Sequence, residues 1–509
     1  MAATLQHVPA ATIITGWDFS TSGVKCLAFD LDGNTIADVR LPNDLWTKGG
    51  VSELSLLQLE GQAHGSVRAM ANALRAKNRL PDWIAGGISA THHTSGRIDA
   101  THNQVRRAIC WNDASLAKYH AIGLKRLGGP KKVRELIGGP WASRYSLSHL
   151  VKDELTLDEK DWRRTARILS HGSLAAGYLT GNFDVASISS AASTGIMDLR
   201  TGQWRKEMLD AIACPDYREQ AWSALPRIVD HFESVGTLAY ANDAASAKPQ
   251  AAGPLIFPTS DDQQAGLIGG GAVDHGQMAI ILGTSAVVNS SSAQIPRGDQ
   301  LDVMRLNWGP YLWMRCYNNG AQFLNKIVGR DPDWAKLESA ASAVPAGCVG
   351  TLVAPFLFAE PSLGVMAPRF RWTPREPKDR GVRYRAALEA LAFLIALGVK
   401  QHERAGQAIT RITVSGGVAR SALMCEILAS VLDRPLELLA SDEGPALGAA
   451  VTALAALENH LRRQRGDTAP FNVADAALRM VRFRGRVQPN SAWRSIYRKG
   501  LGTFAKSFA

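Results

Sequence analysis

The feature that most constrains the fold is a pair of similar turns, rich in small hydroxyl residues, that lie about half the chain apart. The first turn, residues 20–23 ("STSG"), separates two short apolar runs, and the second, residues 283–285 ("GTS"), interrupts two β-prone runs. Each pattern is typical of a β-hairpin. Because a duplicated unit would place two such turns face to face, the spacing predicts two related domains with a cleft between them.

The chain length of 509 residues favours this division, since a single hydrophobic core does not grow to that size. We place the first domain at residues 1–255 and the second at residues 256–509, with the boundary in the Pro/Ala/Gly-rich stretch 246–260. Helical and strand-like patterns alternate in both halves, which predicts an α/β fold. At the N-terminus we expect three antiparallel strands, because Asp32-Gly33 stands between two short apolar runs.

The composition is that of an ordinary globular protein, with 46% hydrophobic and 20% charged residues. No apolar run has the length of a membrane span, and the first residues lack the basic and apolar regions of a signal peptide. We therefore expect a cytoplasmic protein that has no membrane partner. The six cysteines stand singly, which predicts reduced thiols rather than a disulfide framework.

The net charge of +11 is concentrated at the C-terminus, where residues 460–509 contain eleven Lys/Arg against two Asp. No known nucleic-acid-binding motif accompanies these charges, so we expect a solvated basic tail helix and no nucleic-acid partner. A contact within a homodimer is an open alternative for this tail.

The two hydroxyl-rich turns have a chemical interpretation as well as a structural one. Backbone N–H groups in a tight turn, beside Thr or Ser hydroxyls, form a donor surface that suits phosphate oxygens. Lys25 follows the first turn and offers a positive charge, while Asp18 precedes it and is a candidate metal ligand. An ordinary hairpin explains either turn taken alone equally well.

Two adjacent carboxylates, Asp261 and Asp262, precede Gln263 and a run of small residues in "SDDQQAGLIGGG". Transfer of a phosphoryl group to an alcohol requires a carboxylate near the attacking hydroxyl. Asp at the start of a helix is also a common N-cap. The spacing by itself leaves both interpretations open.

Polar residues also occur in two loops, at His92 and His93 in "ATHHTS" and at Asn112 and Asp113 in "CWNDAS". Adjacent histidines indicate a metal site only with a carboxylate or a third imidazole at suitable spacing, and none is evident. Hydrogen bonding to a polyhydroxylated ligand is the functional alternative to ordinary loop residues. Glycines at 416–417 separate a strand from a helix and permit a flat ligand to approach the backbone.

Taken together and in order, these segments resemble the FGGY carbohydrate kinases over nearly the whole chain, most closely their xylulokinase members. The resemblance implies the two-domain actin-like, ribonuclease H-like fold with a central cleft, in which the first domain mainly holds sugar and the second mainly holds ATP. The segments that carry it are "GWDFSTSGVK", "GGISATHH", "CWNDAS", "SDDQQAGLIGGG", "ILGTS", "RYRAALEALAF", "VSGGVARS" and "EGPALGAA".

The resemblance also implies roles for individual residues. Asp262 matches the catalytic aspartate that accepts the proton of the sugar hydroxyl, and Asp18 is a candidate for holding Mg²⁺ through water. The positions that match sugar contacts are His93, Asn112, Asp113 and Gln263. The positions that match ATP contacts are Thr21, Ser22, Lys25, Gly283, Thr284, Ser285, Gly320, Gly416, Gly417 and Ser421.

The activity expected from the resemblance is ATP-dependent phosphorylation of a ketopentose, with D-xylulose as the leading substrate. Ribulose, erythritol and glycerol are alternative acceptors, and a non-catalytic sugar- or nucleotide-binding switch is the alternative from another class. Two departures from the family pattern bear on this expectation: Thr91-His92 replaces Gln-Met, and Asp261 replaces glycine. If both carboxylates point into the cleft, the charge of Asp261 raises the pKa of one of them.

Overall fold

Two seven-stranded β-sheets organise the chain. The structure is a computed structural model that describes residues 4–238, 253–258, 260–298, 300–329 and 331–508. Within those ranges the strands are β1 (Ile13–Phe19), β2 (Gly23–Phe29), β3 (Thr35–Pro42), β4 (Trp46–Lys48), β5 (Val51–Leu54), β6 (Trp83–Ala90), β7 (Ser95–Ile98), β8 (Gln104–Ile109), β9 (Arg167–Ser170), β10 (Val185–Ser187), β11 (Met197–Asp198), β12 (Gln203–Trp204), β13 (Arg227–Val229), β14 (Gly236–Thr237), β15 (Leu255–Ile256), β16 (Ser260–Asp261), β17 (Gln277–Leu282), β18 (Ala286–Ser292), β19 (Asp302–Arg305), β20 (Tyr311–Tyr317), β21 (Leu352–Phe356), β22 (Arg369–Thr373), β23 (Arg411–Ser415), β24 (Leu436–Leu439) and β25 (Phe483–Val487).

Helices cover both sheets and fill the connections between strands. The α-helices are α1 (Leu56–Ala76), α2 (Leu116–Arg126), α3 (Pro130–Ile137), α4 (Ser146–Thr156), α5 (Glu159–Arg164), α6 (His171–Thr180), α7 (Ile188–Ala192), α8 (Pro215–Ser223), α9 (Asp262–Gly269), α10 (Ala321–Val328), α11 (Trp334–Ser342), α12 (Arg380–Arg404), α13 (Ala422–Leu432), α14 (Gly444–Gln464), α15 (Val473–Met480) and α16 (Arg494–Lys506). Short 3₁₀ helices are found at Leu80–Asp82, Lys206–Ala211, Cys348–Gly350, Pro361–Leu363, Gly417–Arg420 and Ser491–Trp493.

The first sheet has the strand order β14-β15-β6-β1-β2-β3, and β16 also pairs with β6. Strands β1, β2 and β3 are antiparallel, whereas β6 runs parallel to β1. The three antiparallel strands predicted at the N-terminus are therefore confirmed. Gly33 in the second of these turns has a φ of 80°, a backbone conformation that glycine adopts without steric cost.

The second sheet repeats this plan, with the order β19-β20-β18-β17-β23-β24-β25. Strands β17, β18 and β20 are antiparallel, and β23 runs parallel to β17. The α/β class predicted from alternating helical and strand-like patterns is confirmed, and the two similar sheets agree with the repeated unit predicted from the two turns. Helix α12, predicted from its apolar periodicity, supplies much of the core that covers this sheet.

Helix α14 follows the second sheet in the chain but packs on the first sheet and on α9. The backbones of these elements are in direct contact. A Cβ on Gly16 would lie 1.8 Å from the Ala446 carbonyl oxygen, and a Cβ on Gly448 would lie 1.9 Å from the Ala265 carbonyl oxygen. Small residues on α14 make this approach possible. The packing brings the N-terminus of α14 to the first hydroxyl-rich turn.

The basic C-terminal segment differs from the expected tail helix. It contains helices α15 and α16, and between them β25 pairs antiparallel with β24 at the edge of the second sheet. Arg484 and Arg486 lie two residues apart on this strand and Arg482 directly precedes it, a spacing of two that suits an exposed edge strand rather than a helix.

The division at residues 255/256 stays a prediction, because residues 246–252 and 259 of the expected boundary lie outside the described residues. Strands β15 and β16, which follow that stretch, both pair with β6 of the first sheet. All six cysteines are free thiols, as predicted. None of the helices in the described ranges combines the length and apolar character needed to span a bilayer.

Candidate active site

The first hydroxyl-rich turn connects β1 to β2. The Ser20 N–H and Oγ both donate to the Gly23 carbonyl, at 2.9 and 2.8 Å, and Ser20 Oγ lies 3.2 Å from Ser22 Oγ. Thr21 is half-buried, and Ser22 is exposed beside an open cavity of about 330 Å³. The turn therefore presents hydroxyls to solvent from a fixed backbone, as expected for a phosphate-binding turn.

The Lys25 side chain, which follows this turn, donates from Nζ to Oε2 of Glu443 at 2.8 Å. Glu443 is the N-cap residue of α14. Arg40, opposite Lys25 on β3, binds the other oxygen of Glu443 at 2.8 Å. Glu443 thus holds two cations beside the turn, and its pKa is lowered by the hydrogen bonds that they donate. This ion-pair cluster joins the beginning of the chain to its last quarter.

The second hydroxyl-rich turn lies between β17 and β18, where the Gly283 N–H donates to the Ser285 carbonyl at 3.1 Å. A Cβ on Gly320 would lie 2.5 Å from the Ser285 carbonyl carbon, and one on Gly416 would lie 2.5 Å from the Leu282 carbonyl oxygen. Gly416 also has a φ of 92°. The structure therefore brings two glycines predicted to contact ATP into direct contact with this turn and with the strand end before it.

Three further residues predicted to contact ATP, namely Thr284, Gly417 and Ser421, differ in their exposure and hydrogen bonding. Thr284 is exposed in the turn, and Gly417 is exposed at the start of its 3₁₀ helix with open space around it. The Ser421 hydroxyl accepts from the Met424 N–H at the N-terminus of α13 and donates to Glu338 on α11. Ser421 is therefore engaged in capping its own helix.

The two adjacent carboxylates separate into two roles. Asp261 is the N-cap of α9, where its Oδ1 accepts from the backbone N–H groups of Gln263 and Gln264 at 3.0 and 2.9 Å. Its Oδ2 accepts from the Ser189 hydroxyl. Asp262 is the first residue of α9, and its Oδ1 accepts from the His92 N–H at 3.2 Å. The N-cap interpretation therefore holds for Asp261, and the catalytic interpretation of Asp262 stays a prediction.

The pKa of Asp262 is raised to about 8, first by burial and then by the charges of Asp261 and Asp18. The His92 N–H acts in the opposite direction because it stabilises the carboxylate. The sequence predicted this effect for two carboxylates that both point into the cleft, whereas Asp261 exerts it from its N-cap position on α9. A pKa near neutrality suits a group that accepts a proton during the reaction.

We expect Asp261→Asn to shift the acid limb of the pH–rate profile to lower pH. The base must be ionised to accept a proton, so kcat/KM for the acceptor rises as pH passes the pKa of Asp262. Asparagine retains the N-cap but removes the neighbouring charge, which lowers that pKa. The measurement is kcat/KM between pH 6 and pH 9.5, with Asp274→Asn, an exposed carboxylate elsewhere, as the control. An unchanged or higher midpoint would contradict the assignment.

Asp262 lines a cavity of about 370 Å³. The other lining residues include one from the second hydroxyl-rich turn and several from the loops predicted to contact sugar. His93 and Gln263 line it, as does Ser285 of the second turn. His93 is fixed by its Nδ1, 2.7 Å from the Ser193 carbonyl oxygen, and by stacking on Tyr145. The predicted base, one residue of a predicted phosphate turn and two residues predicted to contact sugar therefore line the same cavity.

Asn112 and Asp113, also predicted to contact sugar, are not among the residues that line this cavity. Asn112 is exposed, and the Asp113 carboxylate accepts from Lys152 Nζ and from the Ser115 N–H, both at 2.8 Å. Their neighbour Trp111 does line the cavity. The loop therefore presents the indole of Trp111 to the cavity, and the sugar contacts of Asn112 and Asp113 stay a prediction.

Several cavity residues carried no signal in the sequence. Arg144, just before α4, forms an ion pair with Asp302 at the start of β19, and both line the cavity. Glu360 lies there too, with Oε1 accepting from the Asn318 N–H at 2.9 Å and with a pKa raised to about 7 by burial. Isolated charged residues beside strands have no recognisable spacing, so only tertiary structure reveals them.

Asp18 fits the Mg²⁺ role that the family resemblance implies. Its carboxylate is 8% exposed, accepts from the Ser89 hydroxyl at 3.4 Å, and forms no ion pair with any described residue. Burial raises its pKa to about 6. An oxygen-only group with spare lone pairs beside a phosphate turn suits a hard cation.

Comparison with known proteins adds to this geometry. Residues 13–269 match the model of the FGGY family of carbohydrate kinases, N-terminal domain, and residues 278–457 match that of the C-terminal domain. The chain is 23% identical over 463 residues to xylulose kinase of Haemophilus influenzae, covering 86% of this chain and 90% of that protein. It is 24% identical over 471 residues to L-fuculokinase of Salmonella typhi, with coverage of 86% and 91%.

Among solved structures, the ligand-bound xylulose kinase from Lactobacillus acidophilus superposes with a TM-score of 0.83 at 18% identity, covering 97% of each chain. This likeness shows the fold. The two-domain actin-like, ribonuclease H-like ATPase architecture expected from the sequence is thereby confirmed.

Proposed function

Because the chain belongs to the FGGY family of carbohydrate kinases, we propose that it phosphorylates a ketopentose with ATP, using Asp262 as the general base. The observation that carries this proposal is the shared cavity, in which Asp262 lies with Ser285 of the second turn and with His93 and Gln263. A carboxylate at this position would face both an acceptor hydroxyl and a phosphoryl donor bound in the same cavity.

In the proposed reaction, an acceptor hydroxyl oxygen attacks the γ-phosphorus of ATP in line with the leaving group. The new O–P bond forms as the bond from that phosphorus to the β–γ bridging oxygen breaks, and ADP leaves. Asp262 takes the hydroxyl proton, which increases the nucleophilicity of the oxygen. The rest of the catalysis is positioning and charge stabilisation, as is general for phosphoryl transfer.

We assign phosphate binding to the two turns. Thr21, Ser22 and Lys25 contribute hydroxyls and a cation from the first sheet, and residues 283–285 contribute hydroxyls and backbone N–H groups from the second. Gly416 and Gly417 follow β23 near the second turn and suit the nucleoside end of ATP. Asp18 would hold Mg²⁺, whose charge, when bound, offsets that of the phosphates.

D-xylulose is the first acceptor to test, with D-xylulose 5-phosphate as the expected product. The likeness to xylulose kinases and the polar, aromatic cavity wall of His93, Gln263 and Trp111 support this choice. Other ketopentoses and the polyols erythritol and glycerol present the same hydroxyl chemistry and are the alternatives.

We expect ADP release from Mg-ATP to be stimulated by D-xylulose in a panel that includes D-ribulose, L-ribulose, L-xylulose, erythritol and glycerol. Asp262→Asn, measured in parallel, serves as the blank for contaminating phosphatase or ATPase activity. Stimulation by another member of the panel would retain the mechanism and change the substrate. Absence of stimulation by every member would overturn the proposed acceptor class.

A further inference from the structure

A second cluster of potential ligands surrounds the proposed base. One ring nitrogen of His92 and one carboxylate oxygen each of Asp261 and Asp262 all lie within 4.8 Å of one another. His92 comes from the loop after β6, whereas the two carboxylates begin α9. The sequence showed adjacent histidines without a carboxylate at ligand spacing, and the fold supplies two carboxylates from a distant segment.

The His92 ring points independently to a ligand. The residue is only 5% exposed, yet neither ring nitrogen has a hydrogen-bond partner among the residues that the structure describes. Buried polar atoms are normally satisfied, since leaving one without a partner costs about 1–3 kcal/mol. The ring is held in place by stacking on His93, with centroids 3.6 Å apart.

The carboxylates are also held in fixed positions. Asp261 is oriented by the N-terminus of α9 and by Ser189, and Asp262 by the His92 N–H. Hydrogen bonds of this kind orient ligands around protein-bound metals. Ligand atoms about 2 Å from one tetrahedral zinc ion lie about 3.3 Å apart, so these three atoms, now within 4.8 Å of one another, would move closer together by side-chain rotation when the ion binds.

We propose that His92, Asp261 and Asp262 bind one divalent transition-metal ion of the zinc type, and that this ion inhibits the proposed kinase. One imidazole and two carboxylates form a ligand set that zinc binds, with a fourth position open to water. The set differs from the oxygen-only surroundings of Asp18, which suit Mg²⁺. Inhibition follows because the metal binds the Asp262 carboxylate, which would otherwise accept the proton of the acceptor hydroxyl.

The first test measures Zn²⁺ binding to the full-length protein by competition with a fluorescent chelator, without nucleotide or sugar. The wild type is expected to bind one Zn²⁺ in the presence of millimolar Mg²⁺, because imidazole favours zinc over magnesium. We expect His92→Asn and Asp261→Asn each to weaken binding by at least about tenfold. His102→Asn, which removes an exposed histidine, is the matched control and should bind as the wild type does.

Zinc-edge X-ray absorption of the wild-type complex tests the site without any variant. One imidazole in the ligand shell supports the proposal, and a shell of oxygen alone overturns it. Equal Zn²⁺ affinity in wild type and His92→Asn would also overturn it. The inhibition arm, loss of activity with added Zn²⁺ at constant Mg-ATP, rests on the proposed function, whereas both binding measurements do not. A protein that binds Zn²⁺ through His92 but phosphorylates no acceptor would contradict only the proposed function.

Discussion

Asp262→Asn is expected to lower kcat by about 10²–10⁴-fold, the range that general acid–base catalysis supplies. Asparagine has nearly the same shape but cannot take a proton, and the turns that we assign to ATP are left intact. KM for ATP should therefore change by no more than a few-fold. Steady-state kinetics with the preferred acceptor provide the measurement, and activity close to that of the wild type would exclude Asp262 as the base.

The same variant has a distinctive effect on stability. The pKa of Asp262 is raised from 3.8 to about 8 on folding, so the folded protein binds more protons than the unfolded chain between those values. Its contribution to the free energy of unfolding therefore falls as pH rises from about 4 to about 8. Asp262→Asn removes this dependence, so its melting temperature should exceed that of the wild type increasingly across that window.

Thermal melts at several pH values, with Asp274→Asn as the control, would measure this effect. A lower melting temperature for Asp262→Asn at every pH would contradict the raised pKa. The combined result, a much slower but more stable enzyme, distinguishes a lost base from a misfolded variant. A functional site often lowers the stability of the protein, here because a carboxylate is held where burial disfavours its charged form.

Gly320→Ala is expected to lower kcat/KM for ATP by about 10²-fold, because a misplacement of about 1 Å at a reacting site has an effect of that size. The new Cβ would lie 2.5 Å from the Ser285 carbonyl carbon and 2.8 Å from the Gly283 carbonyl oxygen. Both are backbone atoms, so the second turn or the start of α10 must move. The phosphate-binding hydroxyls that we assign to residues 283–285 move with it.

Gly61→Ala is the matched control, because Gly61 is exposed on α1 and its Cβ would meet nothing within 4 Å. It should retain wild-type kinetics and gain slightly in stability from the higher helix propensity of alanine. For Gly320→Ala, near-normal KM for the acceptor would locate the defect at ATP. Wild-type kcat/KM for ATP in this variant would exclude the second turn as a phosphate site.

Local sequence patterns were sufficient for much of the architecture. Asp-Gly between short apolar runs predicted the N-terminal strands, and the two hydroxyl-rich turns predicted a repeated unit, because hairpin signals depend on neighbouring residues. The basic tail was predicted less well. Its high charge suggested a solvated helix, but a period of two along the arginines places β25 at a sheet edge.

The candidate site was likewise predicted only in part from the sequence. The sequence motif was enough to propose Asp262 as the base, but it did not show the burial that contributes most to its raised pKa. The sequence could not assign the capping role to Asp261 and the cavity-facing role to Asp262, since that choice depends on which carboxylate meets the backbone of α9. Nor could it show that Lys152 already pairs with the Asp113 carboxylate.

By itself, the sequence determined the family, the α/β class and the residue types at the two turns and at the predicted base. Only the tertiary structure decided which side chains share a cavity. His92 meets Asp262 across 170 positions, and Lys25 meets Glu443 across 418. These contacts form when α14 and α9 pack on the first sheet. The spacing of residues along the chain does not predict which distant segments will pack together.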